Sequence, residues 1–193
     1  MAEHDPGTMK GPMQTLQGHL LVASPALGDP NFARTVVAIA NHDEDGALGI
    51  VLNRPSDTEV AEAVPELEDV VDSDEVVYVG GPVQPASIVV LAEFQNPAEA
   101  AYLVTGAIGL VSDRTGLERL GDATARRRIY AGYAGWGPGQ LEAEIEREDW
   151  IVEPARPEDV FAPDAPDLWG RVLDRKGGQF RLLARMPVDP TVN

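Results

Sequence analysis

The sequence predicts an α+β domain on a mixed sheet, and three observations carry that reading. Apolar, strand-like runs come first and are joined by short polar turns. Helical patterns enter only later, without the regular strand–helix alternation of a parallel βαβ fold. Sixteen prolines fall between the apolar runs, as suits many short turns.

Taken in order, residues 1–17 are rich in Gly, Pro, Met and polar residues without periodicity, and are expected to form a flexible tail. The runs HLLVA (19–23), TVVAIA (35–40) and ALGIVLN (47–53) read as strands, the last two forming a hairpin around NHDEDG. After Pro55, Ser56 or Asp57 is placed to cap a short helix ending before Pro65. EVVYVGG (75–81), SIVVLAEF (87–94) and YLVTGAIGLVSD (102–113) are strand-like, and GLERL suggests one or two helical turns. RRRIYAGY (126–133) returns to strand, GQLEAEIERED is a helix, and WIVEP (150–154) is a strand. In DLWGRVLDRK (167–176), Leu168, Trp169, Val172 and Leu173 make a helical apolar stripe. The domain is expected to span 18–186, with a C-terminal tail at 187–193.

A chain of 193 residues suits one domain with a sizeable core. It has no cysteine, which excludes disulfides, thiolate metal sites and cysteine nucleophiles. The N-terminus has neither the apolar run of a signal peptide nor an anchor, so the expected location is cytoplasmic and no membrane partner is expected. The formal charge is −17, and residues 41–80 hold twelve acids against the single base Arg54. Such a surface repels nucleic acid, which disfavours direct DNA binding.

Several segments imitate known motifs. In NHDEDGALGIVL (41–52), Asn41, Asp43, Asp45 and Gly46 stand where a calcium loop would have them, but its closing glutamate is Leu52 and the flanks are strand-like. A polar hairpin turn is therefore expected. His4, His19 and His42 have no partner at metal-ligand spacing, so no metal and no cofactor are expected. In VLNRPSD, Asn53 and Arg54 fall at a strand end, as donors for an anion or as a turn and salt bridge. On a strand, Arg126, Arg128 and Tyr130 share one face while Arg127 takes the other, so three consecutive arginines do not make one basic patch. These arginines, and the basic residues of 171–185, are expected to offset the acid excess within the chain.

GYAGWGPGQ carries four glycines before a helix, the outline of a phosphate loop. It lacks the Gly-Lys-Ser/Thr of a P-loop, its spacing is not Gly-x-Gly-x-x-Gly, and Glu142 and Glu144 place negative charge in the first turn. A tight corner is expected. On the helix that follows, Glu148 falls about 20° from Leu141 on the helical wheel, which requires either fraying or a partner for it. Trp136 and Trp150 bracket the segment as core aromatics.

With these residues in hand, GHLLVASPALGDPNFARTVV (18–37), HDEDGALGIVLNRP (42–55), VGGPVQP (79–85) and GYAGWGPGQLEAEI (132–145) followed by Asp149-Trp150 resemble the AlgH/YqgE family of small bacterial cytoplasmic proteins. The chain departs from its pattern at Ser24-Pro25, where Met-Pro is common. The resemblance implies a single α+β domain with a bifurcated or barrel-like mixed sheet. Members have been described as transcriptional regulators, and the family brings no catalytic residues to carry over. The matching motifs mark a candidate ligand or partner surface at Asn53, Arg54, Gly81, Pro82, Gly135, Trp136, Gln140 and Glu142. The expected function is that of a non-enzymatic regulatory or adaptor protein acting through protein contacts. The alternative is a small-anion-binding or hydrolytic domain whose pocket lies between Asn53-Arg54 and Gly135-Gln140.

Overall fold

The computed structural model describes residues 15–111 and 124–186. Ten strands form one branched, open sheet: β1 (His19–Ala23), β2 (Val36–Asp43), β3 (Gly46–Val51), β4 (Pro55–Glu59), β5 (Val76–Val79), β6 (Val83–Phe94), β7 (Tyr102–Thr105), β8 (Ile108–Leu110), β9 (Thr124–Trp136) and β10 (Trp150–Pro154). The main path runs β10-β1-β2-β3-β9-β6-β8-β7. The branch is at β9. Its first ten residues pair antiparallel with β6, while its other edge pairs parallel with β5 at Tyr130–Ala131 and antiparallel with β3 at Ala134–Trp136. β5 in turn carries β4. The sheet is thus mixed and bifurcated within a single α+β domain.

The expected strands at 19–23 and 150–154 form over those residues and pair with each other from His19↔Pro154 to Ala23↔Trp150. Continuous apolar runs suit this sheet because both faces are covered. Leu20 and Val22 enter one core with Leu52, Leu91 and Tyr130, whereas Leu21 and Ala23 enter another with Val37, Trp136 and Trp150. A third core, around Val60, Val77, Phe94 and Ile129, lies under the β4–β5 branch.

Among the described residues there are five short α-helices: α1 (Val60–Ala63), α2 (Gln140–Glu146), α3 (Pro157–Val160), α4 (Leu168–Lys176) and α5 (Phe180–Ala184). α4 buries the expected stripe Leu168, Trp169, Val172 and Leu173, and Trp169 Nε1 donates to the Ala23 carbonyl at 2.8 Å, docking the helix on β1. Among the described residues no helix is long and apolar enough to cross a membrane.

Three local expectations change. The segment after Pro55 is a strand, and helix begins only at Val60, because Ser56 Oγ donates to the Val77 carbonyl at 2.7 Å and the backbone pairs with β5. Pairing across the sheet overrides a local capping signal. The run 102–113 contains two strands turned at Gly106, which takes a left-handed φ of 56°. The strand at 126–133 continues through Gly132 and Gly135 to Trp136, so most of the glycine-rich stretch is strand and the corner proper begins at Gly137. The helix expected at 116–120 lies outside the described residues.

The branch has a steric origin. Gly80 and Gly81 cross β9 at Gly132, and a Cβ on Gly81 would lie 2.2 Å from Tyr133 backbone carbon. A Cβ on Gly132, whose φ is 70°, would lie 2.5 Å from the Gly81 carbonyl oxygen. Two backbones approach here at a distance that no side chain permits.

Candidate functional site

The family-like motifs converge on the connection from β1 to β2. Residues 24–35 contain no regular strand or helix, yet their ends are closed by the Ala23 amide donating to the Thr35 carbonyl at 2.9 Å. This is an Ω-loop: compact, exposed, with joined ends. Pro25, Ala26, Gly28, Asp29, Pro30, Asn31 and Ala33 are exposed, while Leu27 and Phe32 turn inward against the second core.

Two of the candidate residues hold this loop. Asn53, 8% exposed, accepts from the Val36 amide through Oδ1 and donates from Nδ2 to the Arg34 carbonyl, both at 2.9 Å. Every bond is to backbone, so the side chain splices the end of the loop to the strand. Arg54 Nη2 donates to the Pro30 and Ala33 carbonyls at 3.3 and 3.1 Å. Burial pushes the Arg54 guanidinium below its ordinary value, and nearby Asp29 opposes that shift. The sequence alone offered a salt bridge for Arg54; the structure supplies carbonyls because the loop folds over its planar fork.

Phe32 joins this clamp to the rest of the candidate set. Its ring stacks on Trp136 with centroids 6.2 Å apart and meets Trp150 edge-on at 5.5 Å, and the two indoles meet edge-on at 6.0 Å. Both indole N–H groups donate to one oxygen, Oε2 of Glu144, at 2.8 Å. Gln140 Nε2 donates to the other oxygen at 2.9 Å, while its own Oε1 accepts from the Gly137 amide at 3.1 Å. Gln140 therefore closes the corner on itself. Gly139, at φ 73°, caps the helix.

Glu142 faces a different partner. Its Oε1 lies 3.0 Å from His42 Nε2, and His42 Nδ1 accepts from the Leu16 amide at 3.0 Å. An acceptor at Nδ1 puts the proton on Nε2, so the neutral ring donates to Glu142. Thr15 and Leu16, expected to lie in the tail, thus contact the β2–β3 hairpin, and Gln17 donates to the Leu103 carbonyl on β7. Glu148 is exposed beyond the end of α2, at φ 61°, so the helix has ended before reaching it.

Gly81 and Pro82 stand at the branch point, just past the segment that bonds to the same strand end: the Val79 amide donates to the Arg54 carbonyl and the Val51 amide to the Gly80 carbonyl, both at 2.8 Å. Gly135 lies on β9 opposite Leu48. Phe32 and Glu144 join the set without having been singled out by a motif, and His42 serves neither of the roles weighed for it from the sequence, metal ligand or triad member. The available signal for Glu144 was its position between Trp136 and Trp150, whose indole N–H groups need acceptors when buried.

The remaining charged segments are engaged in different ways. Arg126 Nε donates to Glu93 at 2.8 Å and holds that carboxyl below its usual range. Arg128 donates to the Val160 and Ala162 carbonyls, both at 3.0 Å. Arg127 reaches Glu75 only at 3.8 Å, and burial raises the Glu75 carboxyl. Arg175 makes a two-pronged pair with Asp159 at 2.6 and 2.9 Å. The hairpin turn 43–46 has the expected polar form: Asp43 accepts from Asn41 Nδ2 at 2.8 Å and from the Asp45 amide at 2.9 Å. Among the described residues no group of three or more acidic or histidine side chains is placed to hold a metal ion.

The family model described as AlgH-like matches residues 20–181. A UPF0301 protein of Streptomyces coelicolor is 44% identical over 187 residues, covering 94% of this chain and 97% of the relative. One from Thermobifida fusca is 42% identical over 190 residues, covering 93% and 96%. Among solved structures, the crystal structure of a Corynebacterium diphtheriae protein is similar with a TM-score of 0.77 and 32% identity, over 89% of this chain and 93% of that one. The solution structure of the AlgH protein from Pseudomonas aeruginosa gives 0.70 and 31%, over 97% and 98%.

Proposed function

The chain belongs to the AlgH-like family, and from that premise we propose that it is a non-enzymatic regulatory or adaptor protein acting through protein contacts, with the 24–35 loop as its recognition element. The observation that carries this reading is the way the loop is held. Twelve residues without regular structure are anchored at Leu27 and Phe32, at the Arg34 carbonyl and at the Pro30 and Ala33 carbonyls, while Pro25, Ala26, Gly28, Asp29 and Asn31 are exposed. Loops of this length in compact domains are commonly functional, and a pre-ordered loop loses less entropy on binding. The acid-rich 41–80 segment would steer a basic partner toward the domain.

The small-anion reading ranks second. Arg54 Nη2 and both polar ends of Gln140, the groups such a pocket would use, are engaged by the loop, by Glu144 and by Gly137.

The test is affinity capture from the native cells, at low and moderate salt, with wild type, an Asp29→Ala/Asn31→Ala variant and Arg54→Ala. Proteins held by the wild type should be lost from the first variant, whose sheet and cores are expected to be unchanged although the loop loses the Asn31 amide bond to Asp29 at 2.8 Å, and reduced with the second. Identical recovery on all three would overturn the reading.

A further inference from the structure

Gly135 has no structural reason to be glycine. It sits inside β9, paired with Leu48, where a glycine is about 0.5–1 kcal/mol less favourable than alanine. Its φ is not in the left-handed region, and a Cβ there would meet only Tyr133 Cε2 and Val83 Cγ2, each at an ordinary 3.6 Å. Gly132, three residues earlier, shows what a required glycine looks like. Glycine within a strand otherwise marks the close approach of a ligand or another backbone, and nothing among the described residues makes that approach.

What Gly135 does is keep a cleft open. It is exposed at the floor of a groove of about 450 Å³, with half-buried Leu48, Val83 and Tyr133 around it. One rim is the hairpin turn carrying Asp43 and Asp45. Two donors hold the Asp43 carboxyl below its usual range, and neither Asp43 nor Asp45 pairs with a lysine or arginine among the described residues. An apolar floor ending at uncompensated carboxylates matches one kind of side chain: a long aliphatic stem with a cationic head. The Tyr133 ring beside the floor adds a surface for that cation.

We propose that this cleft binds a basic peptide segment of a partner protein, with a lysine or arginine stem lying across Gly135 and its charged head between Asp43 and Asp45. The inference rests on the reading above in one respect, that the chain works through protein contacts, and it names the chemistry of the partner.

The experiment is a titration of the isotopically labelled full chain, followed by amide NMR shifts, with the probe peptide acetyl-Ala-Lys-Phe-Lys-Ala-amide and its counterpart with glutamate in place of both lysines. The lysine peptide should shift the Leu48, Tyr133 and Gly135 amides saturably, and the glutamate peptide should not. Gly135→Val, which fills the floor, should weaken binding by at least about tenfold. Asp43→Asn/Asp45→Asn should weaken it by roughly three- to tenfold and flatten its salt dependence without moving the thermal midpoint. No saturable shift, shifts centred elsewhere, or equal affinity for the double variant would overturn the proposal. If those results came while native partners were still lost with Asp29→Ala/Asn31→Ala, the cleft assignment would fail and the loop reading would stand. Peptide binding at Gly135 together with indifference to the loop variant would retain the cleft and remove the loop.

Discussion

Gly132 and Gly135 lie three residues apart on one strand and do opposite things. At Gly132 another backbone crosses, φ is 70°, and a Cβ would stand 2.5 Å from the Gly81 carbonyl oxygen. At Gly135 the backbone is ordinary for a strand, and among the described residues no atom would lie closer than 3.6 Å to an added Cβ. The first glycine belongs to the fold, since without it β5 could not branch from β9. The second belongs to the surface. Residue type alone does not separate the two; the approach distance of the neighbouring backbone does.

Five substitutions test whether the two glycines differ in this way, in order of decreasing effect. Gly132→Ala should lose at least about 4 kcal/mol through left-handed strain and backbone collision, seen as a large fall in thermal midpoint or as insoluble protein. A normally stable variant would mean that the crossing can open. Glu144→Ala, on the neighbouring helix, should lose roughly 2–4 kcal/mol, because the Trp136 and Trp150 indoles are left without an acceptor. Glu144→Gln should recover much of that in chemical denaturation, since one carbonyl oxygen remains.

Phe32→Ala should lose about 1–3 kcal/mol and speed amide exchange at residues 32 and 35 by loosening the loop from the indole pair. Glu75→Gln should change stability by under about 1 kcal/mol, with a definite pH signature. Burial raises the Glu75 carboxyl in the folded state, so the folded protein holds this proton more tightly than the unfolded chain. Stability contributed by Glu75 is therefore greatest in acid and declines as pH rises from the ordinary carboxylate range through the raised value. The wild type should lose ground to the variant across that window, and parallel curves would refute the assignment. Smallest of all, Gly135→Ala should gain about 0.5 kcal/mol, read as a slightly higher midpoint. A loss like that of Gly132→Ala would return Gly135 to the fold.

Much of the architecture was legible in the chain. The runs 19–23 and 150–154 became strands because apolar residues repeat there, and Leu168, Trp169, Val172 and Leu173 became the buried face of a helix because their spacing allows nothing else. Less of the site was legible. Asn53, Arg54, Trp136 and Gln140 could be named from their motifs, but their joint role could not. Phe32 connects them from twenty or more residues away, and Arg54 bonds to carbonyls, which every residue carries and no sequence pattern marks. The helix expected after Pro55 failed for a related reason: a cap is a local preference, and strand pairing with β5 outweighed it.

The α+β class, the strand at 19–23, the cysteine-free chemistry and the acid excess were readable from the chain alone, because periodicity, composition and charge are properties of neighbours along it. Only the tertiary structure decided which glycines were structural, what Glu144 accepts and where Arg54 points. Those outcomes depend on distances of a few ångströms between segments remote in sequence, and such distances exist only once the sheet has branched and the loop has closed over it.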